Sequence, residues 1–216
     1  MSLSKNRELD SSKQPSPSGG AGGGLIIIDY GAGNIKSIQF AIKRLGYEAI
    51  LSHDVDVIKD AGHIIFPGVG EASSAMAKLK STGLDKLIPN LTQPVLGICL
   101  GMQLMCNYTE EGNTEGLGIF DTNVKRFSNK VKVPHMGWNT ISNLKSDLFE
   151  GINAEEFMYL VHSFYAEHCA EEIATTQYGL TYASALKKDN FYGVQFHPEK
   201  SSVAGERLLR NFINLK

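Results

Sequence analysis

From Leu25 onward the chain alternates short apolar runs with longer stretches in which apolar residues recur every three or four positions. The run LIIID (25–29) has no polar residue to turn toward water before Asp29, which predicts a strand buried on both faces. GAGN (31–34) breaks it, and Ile35, Ile38, Ala41, Ile42 and Leu45 then recur at helical spacing until Gly46 stops the run. Further strands are predicted near Glu48–Leu51, at HIIF (63–66) and at PVLGI (94–98), with a helix over Glu71–Lys80. Strands separated by helices pair in parallel, so the expected fold is α/β: a mostly parallel sheet covered by helices on both faces. From about Gly116 the helical period fades and NVKRF, WNTI, FMYLV, IATTQY, TYASAL and NFYGVQF read as strands. Additional antiparallel strands are expected there, before a closing helix over Val203–Leu215.

Composition changes this picture at one end only. Residues 1–24 are Ser, Lys, Gln and Pro followed by GGAGGG, with almost nothing to bury, and are expected to be a disordered tail or linker. The folded unit is then 25–216, one domain. Lys plus Arg number 21 against 23 acidic residues, a net charge of −2, which argues against a nucleic-acid partner. No apolar run approaches the roughly 20 residues a membrane helix needs. Three cysteines without zinc-type spacing, and no apolar leader before the fold, point to free thiols, a cytoplasmic protein and no metal.

The chemistry concentrates at Gly97-Ile98-Cys99-Leu100-Gly101, a G-x-C-x-G between a buried strand and a helical pattern. This is the pattern of a nucleophile elbow with cysteine in the serine slot. The sharp turn lifts the nucleophile off the sheet and crowds the backbone on either side, which is why glycines flank it. A thiol at the first turn of a helix meets unpaired amides that favour the thiolate, and the Leu100 N–H can face an oxyanion. Cys106, seven residues on, is expected two helical turns along the same face, filling core. Cys169 has no constellation around it.

A thiolate that attacks amides needs a base, and of six histidines His197 stands out by following the strand-like FYGVQF. Pro198 biases His197 to an extended conformation, and in an extended H-P-E the side chains of His197 and Glu199 project the same way. Cys99, His197 and Glu199 thus form a candidate nucleophile, base and orienting carboxylate. His135 and His162 sit in polar-aromatic contexts without a carboxylate at a useful spacing. A second oxyanion donor is expected from FPGVGEA (66–72), where Val69 and Gly70 lead into the next helix, although an ordinary strand-to-helix turn would read the same. GAGN lacks the third glycine of a dinucleotide fingerprint, so no nucleotide cofactor is expected, and indeed no cofactor of any kind.

IIDYGAGN (27–34), PGVGEASSAM (67–76), GICLGMQLM (97–105), PHMGWN (134–139), YLVHSFY (159–165) and YGVQFHPEKS (192–201) occur in this order. Together they make the chain resemble the glutaminase subunits of imidazole glycerol phosphate synthase, triad-type glutamine amidotransferases of histidine biosynthesis. GICLGMQ and QFHPE mark only the broad amidotransferase class; PHMGWN and HPEKS narrow it. The resemblance implies that Cys99 attacks the carboxamide of L-glutamine, that the amides of Leu100 and Val69 hold the oxyanion, and that His197 and Glu199 manage the protons. It implies that Gln103 and the backbone around Ser163 and Phe164 bind the substrate; Phe164 replaces a tyrosine common in relatives. It further implies a separate (β/α)₈-barrel cyclase as heterodimer partner that takes the ammonia, an interface at or near Asn34, Tyr159 and Lys200, and a PGVG loop that the loaded cyclase switches on. The competing readings are an amidotransferase subunit of a related pathway such as anthranilate or aminodeoxychorismate synthesis, a stand-alone Cys-His-Glu hydrolase, and a docking subunit without catalysis.

Overall fold

A computed structural model describes residues 23–31 and 34–216. The expected tail over 1–24 therefore lies outside the described residues, apart from Gly23 and Gly24, and Gly24 O accepts from Gly62 N at 3.0 Å. The chain runs β1 (Leu25–Ile28), α1 (Ile35–Arg44), β2 (Ala49–Ser52), α2 (Val55–Lys59), β3 (His63–Gly68), α3 (Ala72–Thr82), α4 (Leu84–Leu87), β4 (Val95–Cys99) and α5 (Leu100–Met105). It continues through β5 (Cys106–Thr109), β6 (Thr114–Glu115), β7 (Phe120–Arg126), β8 (His135–Ile141), β9 (Glu156–His162), β10 (Phe164–Ala166), β11 (Glu172–Tyr178), β12 (Leu180–Lys188), β13 (Phe191–Val194) and α6 (Ser202–Ile213).

The main sheet has strand order β2-β1-β3-β4-β13-β12-β10-β7-β5-β6, with β11 also paired to β12. The block β2-β1-β3-β4-β13 is parallel throughout, and β12 joins β13 antiparallel. The expected α/β architecture, a mostly parallel sheet with antiparallel additions, is thus the one observed. Alternate residues of the central strands divide the core in two. Ile27, Ile65, Leu96 and Ile98 pack with α1 and α6, whereas Ile26, Ile28, Ile64 and Phe66 pack with α3 on the opposite face.

One local expectation needed correction, one short helix was missed, and part of the antiparallel addition took the form of a separate layer. Helix α5 stops at Met105 after 6 residues, so Cys106 is not on its second turn but opens β5, where it is nonetheless fully buried. The short α2 escaped the sequence reading, although Asp54 caps it by accepting from Asp56 N and Val57 N. Strands β8 and β9 do not extend the main sheet; they form a separate antiparallel pair registered His135↔His162 through Ile141↔Glu156.

Candidate active site

Cys99 ends β4 with φ 54° and ψ −111°, backbone values that a non-glycine residue adopts only under strain of order 1–3 kcal/mol. The two flanking glycines explain how the turn fits. A Cβ on Gly101 would stand 2.0 Å from Phe66 O of β3, and one on Gly97 2.9 Å from Met102 N of α5. Neither backbone atom can move aside, so both positions exclude every other residue. The result is a cysteine that is 7% exposed and lifted out of the sheet, with Sγ 3.9 Å from Val161 O of β9.

Parallel pairing brings the remaining parts to the same edge. Gly68 is registered opposite Cys99, and Val194 opposite Ile98, so the PGVG loop and the chain leaving β13 flank the elbow on its two sides. His197 and Glu199 meet through Nδ1 and Oε1 at 2.9 Å, with both side chains almost wholly buried. They do so differently from the expected extended tripeptide. His197 is extended, but Pro198–Lys200 form a 3-10 turn that folds Glu199 back, closed by Lys200 N donating to His197 O at 3.0 Å. Ser201 Oγ also donates to His197 O at 2.7 Å and accepts from Tyr159 N at 2.9 Å, which ties this turn to β9.

Among the described residues, His197 Nε2 and Glu199 Oε2 are buried without a hydrogen-bond partner. Burial alone favours a neutral imidazole. The negative charge of a Cys99 thiolate and of Glu199 outweighs it and pushes the His197 pKa up to about 10. A narrow crevice beside the pair is walled by Asn34, Ile38, Pro67, Gly68, Val69 and Ile98. The candidate oxyanion residues hence sit as follows: Leu100 opens α5 directly after Cys99, Val69 lines the crevice, and Gly70 follows with φ 97°. Tyr30, unremarked in the sequence, donates from its hydroxyl to Pro67 O at 2.8 Å and so braces the base of this loop.

The candidate substrate-binding residues are also brought together. Gln103 on α5 is buried and donates from Nε2 to Phe164 O at 3.0 Å and to Gln195 Oε1 at 2.9 Å. Phe164 O accepts a second bond from His162 Nδ1 at 2.7 Å, while Ser163 O accepts from Phe127 N at 3.0 Å. Behind them lies a cluster of aromatic rings, Phe127, Tyr165, Tyr178 and Tyr182, around His135 and His162. His162 Nε2 contacts Tyr182 Oη at 3.1 Å and His135 Nδ1 at 3.3 Å. Burial, helped by the positive charges of His135 and His197, drives the His162 pKa down to about 3 against the pull of its bond to Phe164 O. His135 shifts down as well, from burial.

Of the candidate interface residues, Tyr159 and Lys200 lie outside the crevice, whereas Asn34 forms part of its wall. Along β8 and β9 the inward residues His135, Ile141, Met158, Leu160 and His162 are buried, while Met136, Trp138 and Phe157 on the outward face are 64%, 52% and 56% exposed. The Trp138 and Tyr159 rings lie 6.0 Å apart, and Lys200 Nζ sits 5.8 Å over the Tyr159 ring. Asn34 precedes α1 on the crevice wall nearby. Met136 and Trp138 were not singled out from the sequence; the signal was there as two large apolar side chains at alternate positions of one strand.

A strained cysteine on a strand-to-helix elbow, a buried histidine-carboxylate pair and a glycine-rich loop at one edge of a parallel sheet make the arrangement of a cysteine-dependent acyl-transfer site. Known proteins carry the assignment further. The glutamine amidotransferase class-I family matches residues 26–215. The imidazole glycerol phosphate synthase subunit HisH of Bacteroides fragilis (strain YCH46) is 57% identical over 194 residues, covering 88% of this chain and 99% of the relative. HisH of Yersinia pseudotuberculosis is 43% identical over the same length and shares. The crystal structure of a glutamine amidotransferase superposes with a TM-score of 0.69 at 18% identity, covering 88% of this chain and 97% of the other, and this likeness speaks to the fold alone. The chain belongs to the class-I glutamine amidotransferases and, within them, to the HisH subunits of imidazole glycerol phosphate synthase.

Proposed function

We propose that this chain is the glutaminase half of a two-subunit synthase and that Cys99, His197 and Glu199 carry its chemistry. Glutamine hydrolysis in histidine biosynthesis is the activity of the chain. In the proposed course, the Cys99 thiolate adds to the side-chain carbonyl of glutamine and the Leu100 and Val69 amides receive the oxyanion, with Gly70 supplying the turn that lets the loop face it. His197, charged at Nε2, gives its proton to the departing nitrogen, the C–N bond breaks and ammonia leaves. A water then loses a proton to the same Nε2 as it attacks the thioester, releasing glutamate and the thiolate. Glu199 keeps Nδ1–H in place throughout. The observation that carries this reading is the buried His197–Glu199 contact of 2.9 Å beside an elbow cysteine with positive φ.

Gln103 and the backbone at Ser163 and Phe164 hold the amino-acid end of the substrate. Phe164 O is already taken by Gln103 and His162, which leaves the other main-chain groups of that turn for the ligand. The ammonia passes to a (β/α)₈-barrel cyclase docked over Asn34, Tyr159 and Lys200, a surface to which exposed Met136 and Trp138 add apolar area. A cytoplasmic setting suits its three free cysteines. The test mixes the chain with a cyclase subunit and its aminoribonucleotide substrate and measures glutamate release. Release is expected to rise when the cyclase is loaded and to vanish in Cys99→Ala, with ammonia-driven turnover by the cyclase intact. Glutamate formation surviving Cys99→Ala overturns the nucleophile, and indifference to the cyclase overturns the partner.

A further inference from the structure

We propose that Gln195 is a further catalytic residue of this site: its side-chain amide spans the gap between Gln103 and Cys99, holding the thiolate with one end and the substrate-binding glutamine with the other. This rests on the reading of Cys99 as nucleophile given above. Gln195 follows β13 and is wholly buried, with its backbone fixed by N donating to Ser184 O at 2.9 Å. Its Oε1 accepts from Gln103 Nε2 at 2.9 Å, and its Nε2 lies 3.7 Å from Cys99 Sγ. A fully buried amide whose two ends both reach the site is not filling space, because each end left unmatched would cost about 1–3 kcal/mol.

The direction of every bond in this chain follows from one atom. Phe164 O, a backbone carbonyl, can only accept, so the Gln103 amide must turn its nitrogen toward it at 3.0 Å. The same nitrogen faces Gln195, which must therefore answer with its oxygen. The Gln195 nitrogen is then left pointing at sulfur, and an N–H directed at sulfur favours thiolate over thiol. The same carbonyl fixes His162 as the Nδ1–H tautomer. Only a carboxamide of this length can both accept from Gln103 and donate to Cys99. Glutamate could accept but would set a second negative charge beside the thiolate, and methionine of similar shape could do neither. The remaining titratable groups coupled to Cys99 or to its base are His197, Glu199, Tyr30, Tyr182 and His162, and the bonds from Gln103 run to Gln195 and Phe164 rather than to any of them.

Two measurements on Gln195→Met and Gln195→Glu test this, with the pH dependence of Cys99 alkylation by iodoacetamide read on the chain alone and glutamine hydrolysis read in the complex. The alkylation midpoint is expected to rise by about one pH unit in Gln195→Met and further in Gln195→Glu, since one lost charge-assisted hydrogen bond is a tenfold matter. In the complex kcat should fall about tenfold, with a smaller rise in KM as Gln103 loses its acceptor. A merely structural role would lower the thermal midpoint without moving the alkylation midpoint. Wild-type alkylation profiles and kcat in a folded variant overturn the proposal, and Gln195→Glu, the closest in shape, serves where Gln195→Met does not fold. Glutamate release by Cys99→Ala would instead overturn the underlying reading, so the two failures are distinct.

Discussion

His197 and His162 are equally deep in the same site, yet one is held charged and the other neutral. The pKa of His197 is pushed up to about 10 and that of His162 down to about 3. Burial pulls both in the same direction, toward the uncharged ring. What differs is the company. His197 faces a carboxylate at 2.9 Å and the negative charge of Cys99, whereas His162 faces a carbonyl, a tyrosine hydroxyl and a second histidine. In the proposed mechanism the end of β13 moves protons while the β8–β9 hairpin holds shape, and neither role follows from burial or residue type alone.

The largest effects should come from breaking the charged side of this comparison. His197→Gln removes the imidazole that gives and takes the proton in the proposed course, and glutamate release should fall by about 10³-fold, read in the loaded complex. Glu199→Gln keeps the shape but removes one of the two negative charges that offset burial, that of Cys99 being the other, so the imidazole pKa should drop. A loss of roughly 10²-fold is expected, with the pH-rate profile moved to lower pH rather than merely scaled. If Glu199→Gln only scaled the profile, the carboxylate would add nothing to what the Cys99 thiolate does in keeping His197 charged.

The two halves of the comparison were unequally legible in the sequence. The charged half carries short motifs: glycines at 97 and 101 flank the cysteine, one kept by Met102 of the elbow helix and the other by Phe66 O of β3, and His197 and Glu199 are two residues apart. Even there the details slipped, because Pro198–Lys200 turn where an extended tripeptide was expected. The neutral half, and the amide that links it to Cys99, are assembled from residues far apart in the chain. Gln195 reaches Cys99 and Gln103 across 96 and 92 positions, and His135 meets His162 only once β8 and β9 pair away from the main sheet. No periodicity encodes such pairings, so the strands were visible and their partners were not. The parallel block was readable for the opposite reason: strands buried on both faces, each followed by a helix, leave few ways to pair.

Smaller effects are expected from His162→Phe, which keeps the ring in its aromatic cluster but removes the donor to Phe164 O and the partner of Tyr182 Oη. Activity should fall less than tenfold, since no proton of the reaction passes through His162, while stability near pH 7.5 should drop by about 1–3 kcal/mol. The acid limb of the stability profile then separates the two histidines. The folded pKa of His162 lies below the ordinary imidazole value of 6.5, so its contribution is complete above pH 6.5 and is lost as pH falls toward about 3, because only the unfolded chain takes up the proton. His135, shifted the same way, adds to this slope. His197, shifted up, is charged in both states below pH 6.5 and adds none there. Between pH 6.5 and 5 the His162 term amounts to about 2 kcal/mol. Denaturant titrations of wild type and His162→Phe should accordingly converge as pH falls through this window. Parallel curves would mean that His162 is no harder to protonate in the folded chain than in the unfolded one, and the contrast with His197 would collapse to a difference of position alone.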